Sequence, residues 1–348
     1  MSSMMAYSGI VTKIKAMEAK LLTEQDFEEI SNMKNVPEVI EFLKQRPGYE
    51  KYINQMDPSL YHRRHVEKML IQSLYDDYTR VYRFANATQR KFMKFYIKHY
   101  EVDLINYCLR ILFNHYDWPF DLDYKKPFYD QYSQLSIDRL VTSKSVDDLI
   151  ENIKDTEYYK PLQQIHESGA ATIFDYDLAL ELYSFSAIWK SRKRALNKKE
   201  LDLFTRDMGT AIDLINLQWI YRAKKYYNML APDIYSMTIP VQYRFSVDEF
   251  KDLVEAPSVD EFIAKVQETS YAKKYNIDNT KTLEQMYNDC MIKLYLADRR
   301  SNPYSVASIN TYFFLKETEI TKLTTALECI RYGLSSREIL GYIGGVIQ

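Results

Sequence analysis

Ionisable side chains at helical spacing are where chemistry would show first, and this chain of 348 residues offers few of them. In YHRRH, His62 and His65 stand three apart, a spacing that puts two metal ligands on one helix face. The flanking Arg63 and Arg64 repel a cation and no third histidine is placed nearby in sequence, so no metal site is expected there. His99, His115 and His166 are isolated, and none has Glu three positions before it, which excludes the Glu-x-x-His pattern of di-iron bundles. Asp76 and Asp77 in DDYTR are half of the acidic cluster with which helical hydrolases and prenyl-transfer enzymes hold magnesium-diphosphate. Arg80 occupies the place of a further acid, and a solvated helix face is the plainer expectation. There is no phosphate loop, no Gly-x-Gly-x-x-Gly and no Gly-x-Ser-x-Gly elbow, so neither catalysis nor a bound cofactor is expected.

Two further groups of residues point to binding. WKSRKRALNKKE places Arg192, Lys193 and Arg194 at the end of a long helical segment, where cations suit a helix C-terminus. A solvated turn is one reading, and a patch that meets lipid headgroups or acidic loops is the other. The 31 tyrosines could stack on bases, but at helical spacing without a basic face they read as core with the hydroxyl at the rim. A formal net charge of -2 gives no global pull toward nucleic acid or a membrane. Cys108, Cys290 and Cys329 are odd in number and widely spaced, the pattern of buried thiols in a reducing compartment. The N-terminus MSSMMAYSGIVTKIK has no secretory pattern, and the apolar tail ILGYIGGVIQ is far short of the roughly 20 residues a membrane span needs.

The elements that must position these residues are repeated. Residues 145–159, SVDDLIENIKDTEYY, return as 258–272, SVDEFIAKVQETSYA, with a blurred copy at 35–50, NVPEVIEFLKQRPGYE. EVDLIN at 101–106 returns as AIDLIN at 211–216 and as EITKLT at 319–324. Tyr49 to Tyr159 and Asp103 to Asp213 are each 110 positions. Three units of about 110 residues therefore fill the chain, 1–118, 119–240 and 241–348.

Each unit opens with short helices. Ser145 with Asp148, Ser258 with Glu261 and Asn35 with Glu38 have the spacing of capping boxes, and Pro37 falls in the first turn where its missing N–H costs least. An apolar pair precedes each: Phe27/Ile30, Ile137/Leu140 and Phe250/Leu253. Two long helices follow. In 66–85, Val66, Leu70, Leu74, Tyr78 and Val81 form one apolar stripe, and in the second long helix Val102, Ile105, Leu109 and Leu112 form a seam widened by Leu104 and Cys108. Only 8 glycines occur, none between Gly48 and Gly169, and no run of alternating strands appears; the fold class is all-α.

From YSGIVTKIKAMEAKLLTEQDFEEI to FFLKETEITKLTTALECI the chain resembles the C subunit of prokaryotic V-type ATPases, which is similar to the d subunit of vacuolar ATPases. The long helices of that family carry an acid, Asn three on and a later Arg. DLINLQWIYR keeps all three as Asp213, Asn216 and Arg222. Unit one keeps Asp103 and Asn106 but has Leu112 where Arg is expected, and unit three has Glu319 but Thr324 for Asn. The resemblance implies three similar helical units in a pseudo-threefold funnel around a central cavity. It implies a non-catalytic central-stalk rotor part, peripheral on the cytoplasmic face of the membrane, whose partners are the D- and F-type shaft subunits and the proteolipid ring. Such a part couples ATP-driven rotation to proton or sodium transport, with no nucleic acid and no small-molecule substrate. Asp103, Asn106, Asp213, Asn216, Arg222 and Glu319 would then be polar contacts between units or the lining of the socket. Arg192, Lys193 and Arg194 would face the membrane or ring. The alternative from the residues alone is a helical scaffold that binds another protein.

Overall fold

The structure, a computed structural model, describes residues 3–114, 120–169, 171–275 and 282–344. His115 and the last four residues of the apolar tail lie outside the described residues. The described chain is all-α. In order the helices are α1 (Ser3–Glu18), α2 (Glu24–Ser31), α3 (Val36–Lys44), α4 (Glu50–Ile53), α5 (Arg63–Phe84), α6 (Ala87–Phe113) and α7 (Lys126–Tyr132). Then come α8 (Ile137–Leu140), α9 (Val146–Asn152), α10 (Tyr159–Glu167), α11 (Ile173–Ala195), α12 (Lys198–Tyr227) and α13 (Ala231–Met237). The last are α14 (Val247–Glu255), α15 (Val259–Glu268), α16 (Ser270–Tyr275), α17 (Leu283–Ser301), α18 (Val306–Arg331) and α19 (Ser336–Tyr342). No described helix is long and apolar enough to cross a membrane.

The repeated block forms α3, α9 and α15, and the residues that start them do so by capping. Asn35, Ser145 and Ser258 have extended backbone, and their side chains accept the N–H of Glu38, Asp148 and Glu261. The return bond differs from the expected box. Glu38 and Asp148 reach back one residue further, to the N–H of Lys34 and Lys144, each at 2.9 Å. Reciprocal boxes close instead at Thr23/Asp26, Thr172/Asp175, Ser246/Glu249 and Ser335/Glu338.

The apolar stripe of α5 is buried along its whole length, from Val66 to Val81, and so is the α6 seam through Leu109; Leu112, at its end, is half-buried. The chain folds as two compact units, Met1–Ala87 with Ile292–Gln348, and Thr88–Met291. In the first, α1, α5 and α18 pack on one another, with α2 and α3 on α18 and α19 on α2. In the second, α10 packs on α11, α11 on α12, and α12 on α13 and α15. Phe92 and Phe95 of α6 lie against Phe204 of α12, with ring centroids 5.4 and 5.1 Å apart. All three cysteines are free and buried, and burial pushes the Cys108 thiol up to about 12.

Candidate functional site

Each of α6, α12 and α18 buries a carboxylate within its copy of the EVDLIN-type block or at its edge: Glu101, Asp213 and Glu319. An ionised carboxylate out of water costs several kcal/mol unless donors surround it, on the order of the penalty for any buried ion. All three are met by the same pair of donors. One is a backbone N–H in the loop that enters a pair of short helices; the other is a tyrosine hydroxyl at the end of the repeated block.

At Asp213, the N–H groups of Tyr243 and Arg244 donate at 3.0 and 2.8 Å, and Tyr271 OH donates at 2.6 Å. At Glu101, Gln134 N–H donates at 3.0 Å and Tyr158 OH at 2.7 Å, with Ser133 Oγ adding a third bond at 2.6 Å. At Glu319, the Leu22 N–H donates at 2.5 Å and Tyr49 OH also donates. Here a cation joins: Lys316 Nζ lies 3.0 Å from Glu319 Oε1 and 2.9 Å from Tyr49 OH, and is itself buried.

Burial, followed by the facing carboxylate, holds the hydroxyls of Tyr49, Tyr158 and Tyr271 well above the usual phenol range, so they remain donors. Burial also raises Asp213, against the pull of its three donors.

Gly209 explains how the chain reaches Asp213. It lies one turn earlier on the same helix face, and a Cβ built there would sit 2.4 Å from the Tyr243 ring. Only glycine lets Tyr243 lie down on α12 while its N–H reaches the carboxylate. Asn216, fully buried, completes the grip: its Nδ2 donates to the Ile239 carbonyl at 3.0 Å and its Oδ1 accepts the Ile239 N–H at 2.8 Å. Asp213 and Asn216 therefore share a helix face, as their spacing predicts, and together hold residues 239–244 on α12.

The other expected residues are placed differently. Arg222 is half-exposed and pairs with Glu284 at 2.5 Å, apart from Asp213 and Asn216. Asp103 is exposed, with His99 Nε2 at 3.7 Å, and takes no part in the grip; Glu101, two residues earlier, does. Asn106 is buried, and its Oδ1 has no hydrogen-bond partner among the described residues. Of the basic run, Lys193 and Arg194 are exposed, but Arg192 is buried, stacked 3.4 Å over the Trp189 ring and bonded to Thr205 Oγ1 at 3.0 Å. A guanidinium held this way offers nothing to a surface. Asp76 and Asp77 do not form a solvated face either. Asp76 takes Lys51 Nζ at 2.6 Å and Tyr52 OH at 2.7 Å; buried Asp77 takes Tyr312 OH at 2.6 Å and Arg80 at 2.9 Å. Burial raises Asp77 as well. Among the described residues, no three His, Cys, Asp or Glu side chains converge as a metal site requires.

Glu101, Lys316 and the three tyrosines carry the arrangement and escape the helix-by-helix comparison. Thr156 and Thr269 stand two residues before Tyr158 and Tyr271, so a strict alignment of the two clearer blocks would have selected Tyr158 over Tyr159.

These three buried carboxylates, each tying a long helix to loops and short helices 30 or more residues away in the chain, make a framework of joints. The chain belongs to the ATP synthase (C/AC39) subunit family, whose model it matches over residues 10–342. It is similar to the C subunit of the A-type ATP synthase of Methanocaldococcus jannaschii, 23% identical over 96% of this chain and 85% of that protein. The C subunits of the A-type ATP synthases of Thermococcus kodakarensis and Methanosarcina mazei are 25% and 24% identical, over 98% and 96% of this chain and 91% of each relative.

Proposed function

We propose that this protein is the non-catalytic central-stalk part of an A/V-type ATP synthase, joining the rotating shaft to the membrane proteolipid ring. The observation that carries this is the match to the C/AC39 family along almost the entire chain, with relatives covered over most of their length. The geometry is compatible with a transmitter of torque. A part that passes rotation on must resist bending at its joints, and close-packed helices tied by buried, hydrogen-bonded carboxylates deform little. In this reading, units 1–118, 119–240 and 241–348 surround a funnel-shaped socket for the shaft, and the protein is peripheral on the cytoplasmic side. Asp213 and Glu319 then act as ties between units, Asn216 as a tie within 119–240, and none of them as socket lining.

The test is to remove the protein from the assembled complex and reconstitute it. Vesicles lacking it should retain ATP hydrolysis by the headpiece and lose ATP-driven ion uptake, and adding the purified protein should restore uptake. Uptake that persists at full rate without the protein would overturn the assignment.

A further inference from the structure

One face of α11 is accounted for by packing: Tyr176, Leu180, Ser184 and Ile188 recur every four residues and are buried. Two residues away, on the opposite face, Phe174, Leu178 and Leu182 recur at the same interval. The outer face of a helix in water carries polar side chains, yet Phe174 is 46% exposed and Leu178 and Leu182 are only half-buried. Leu178 and Leu182 form one wall of an open groove of about 770 Å³ between α10 and α11, and Pro161 and Ile165, again four apart, form the other. All of these residues lie within the compact unit Thr88–Met291. From Phe174 to Leu182 the stripe runs about 12 Å, room for about two turns of a second helix laid alongside. Facing apolar stripes at four-residue spacing are the counterpart of an amphipathic helix, whose anchors recur at three and four.

The rim of the groove selects the charge of what enters. Two acids border it, and both are engaged. Glu157 accepts Tyr183 OH at 2.9 Å and Gln134 Nε2 at 3.0 Å and pairs with Lys98. Asp175 caps α11, taking the Thr172 N–H at 2.7 Å and Thr172 Oγ1 at 2.8 Å. Two lysines border the groove as well. Lys160 is exposed and has no carboxylate partner among the described residues. Lys154 is exposed and pairs with exposed Glu151 three residues before it, a contact that contributes little and gives way to a better acid. The charge open to an incoming chain is therefore positive.

We propose that the groove between α10 and α11 receives an amphipathic helix of another protein, its apolar side chains set between Ile165, Leu178 and Leu182 and its acidic side chains against Lys154 and Lys160. The inference stands whether or not the protein turns on a rotor axis, because it concerns the surface of one compact unit.

Photo-crosslinking in the purified native complex tests it. Benzoylphenylalanine placed at Leu182 of the full-length chain should join to a partner segment in which apolar residues recur at three and four, flanked by Asp or Glu; the same probe at Lys193, outside the groove, should not give that product. Lys154→Glu combined with Lys160→Glu should lower the yield about tenfold, since two attractions become repulsions, and Lys160→Arg should leave it unchanged. Leu178→Asp should lower it by about thirtyfold or more, as loss of a central anchor does. Should Leu178→Asp disturb the packing of α10 on α11, the lysine variants, both at exposed positions, still decide the question. A product with a basic or non-helical segment, with a second copy of this chain or with lipid, no product at all, or a yield unmoved by the lysine reversals would overturn the proposal. ATP-driven ion uptake by the reconstituted vesicles is a separate readout, so the groove and the rotor assignment can fail independently.

Discussion

Tyr271→Phe isolates what a buried tyrosine contributes at one joint. The hydroxyl sits 2.6 Å from Asp213 Oδ2, and both side chains are about 1% exposed, so no water replaces the lost donor without opening the core. The ring and its packing against Phe245, 5.4 Å between centroids, are retained. A hydrogen bond to a charged group contributes about 1.5–3 kcal/mol. Asp213 keeps the N–H groups of Tyr243 and Arg244, which places the expected loss at about 2 kcal/mol, within that same range. In a unit of this size that lowers the melting temperature by roughly 4–8 °C. The assay is calorimetry on wild type, Tyr271→Phe, Asp213→Asn and the double variant. The double variant should be less destabilised than the sum of the singles by at least about 1 kcal/mol, because either single change breaks the same bond. A Tyr271→Phe melting temperature within about 1 °C of wild type, or strictly additive variants, would refute the idea that the hydroxyl ties the block to α12.

Gly209→Ala should destabilise despite the better helix propensity of alanine, by about 1–3 kcal/mol less a gain of up to about 1, since the Tyr243 ring must move away from the new methyl; urea midpoints report it. Asp213→Asn should also change how stability depends on pH. Burial raises the folded-state value of Asp213, so its contribution is fully present below the unfolded value of about 3.9 and is lost as pH rises through the folded one. Wild type should therefore gain on Asp213→Asn as pH falls through that window, and melting curves of the two proteins that run parallel from pH 3 to 7 would contradict this. Arg222→Ala should change stability by no more than about 1 kcal/mol in thermal melts, because its partner Glu284 is half-exposed.

Most of the framework could be read from residue patterns. Short helices begin where Asn35, Ser145 and Ser258 offer a side-chain oxygen, and long helices follow the stripe from Val66 to Val81, because capping and burial act over three or four residues and leave a local period. The site was less open to that approach. EVDLIN and AIDLIN match by letter, which aligns Asp103 with Asp213, yet two residues along a helix turn a side chain to the far face. Glu101 is the acid that meets the donors, and those donors lie 32–57 residues further on. A local pattern cannot register partners at such a distance. Arg192 misled for the opposite reason: its neighbours in a basic run suggest solvent, whereas Trp189, three residues before it, gives the guanidinium a ring to stack on. Asp77 likewise has its reason in Tyr312, on the last long helix.

The donors at Glu101 and Asp213 are hydroxyls, amides and backbone N–H groups, none of which carries a charge. Dissolved ions weaken attractions between opposite charges and scarcely touch neutral donors shielded from water. Those two carboxylates should hold equally well in dilute buffer and in strong brine, whereas the half-exposed Glu18–Arg299 pair at the chain ends should loosen as electrolyte is added. Tolerance of salt is thus distributed unevenly along one polypeptide, according to whether tyrosine or arginine does the holding.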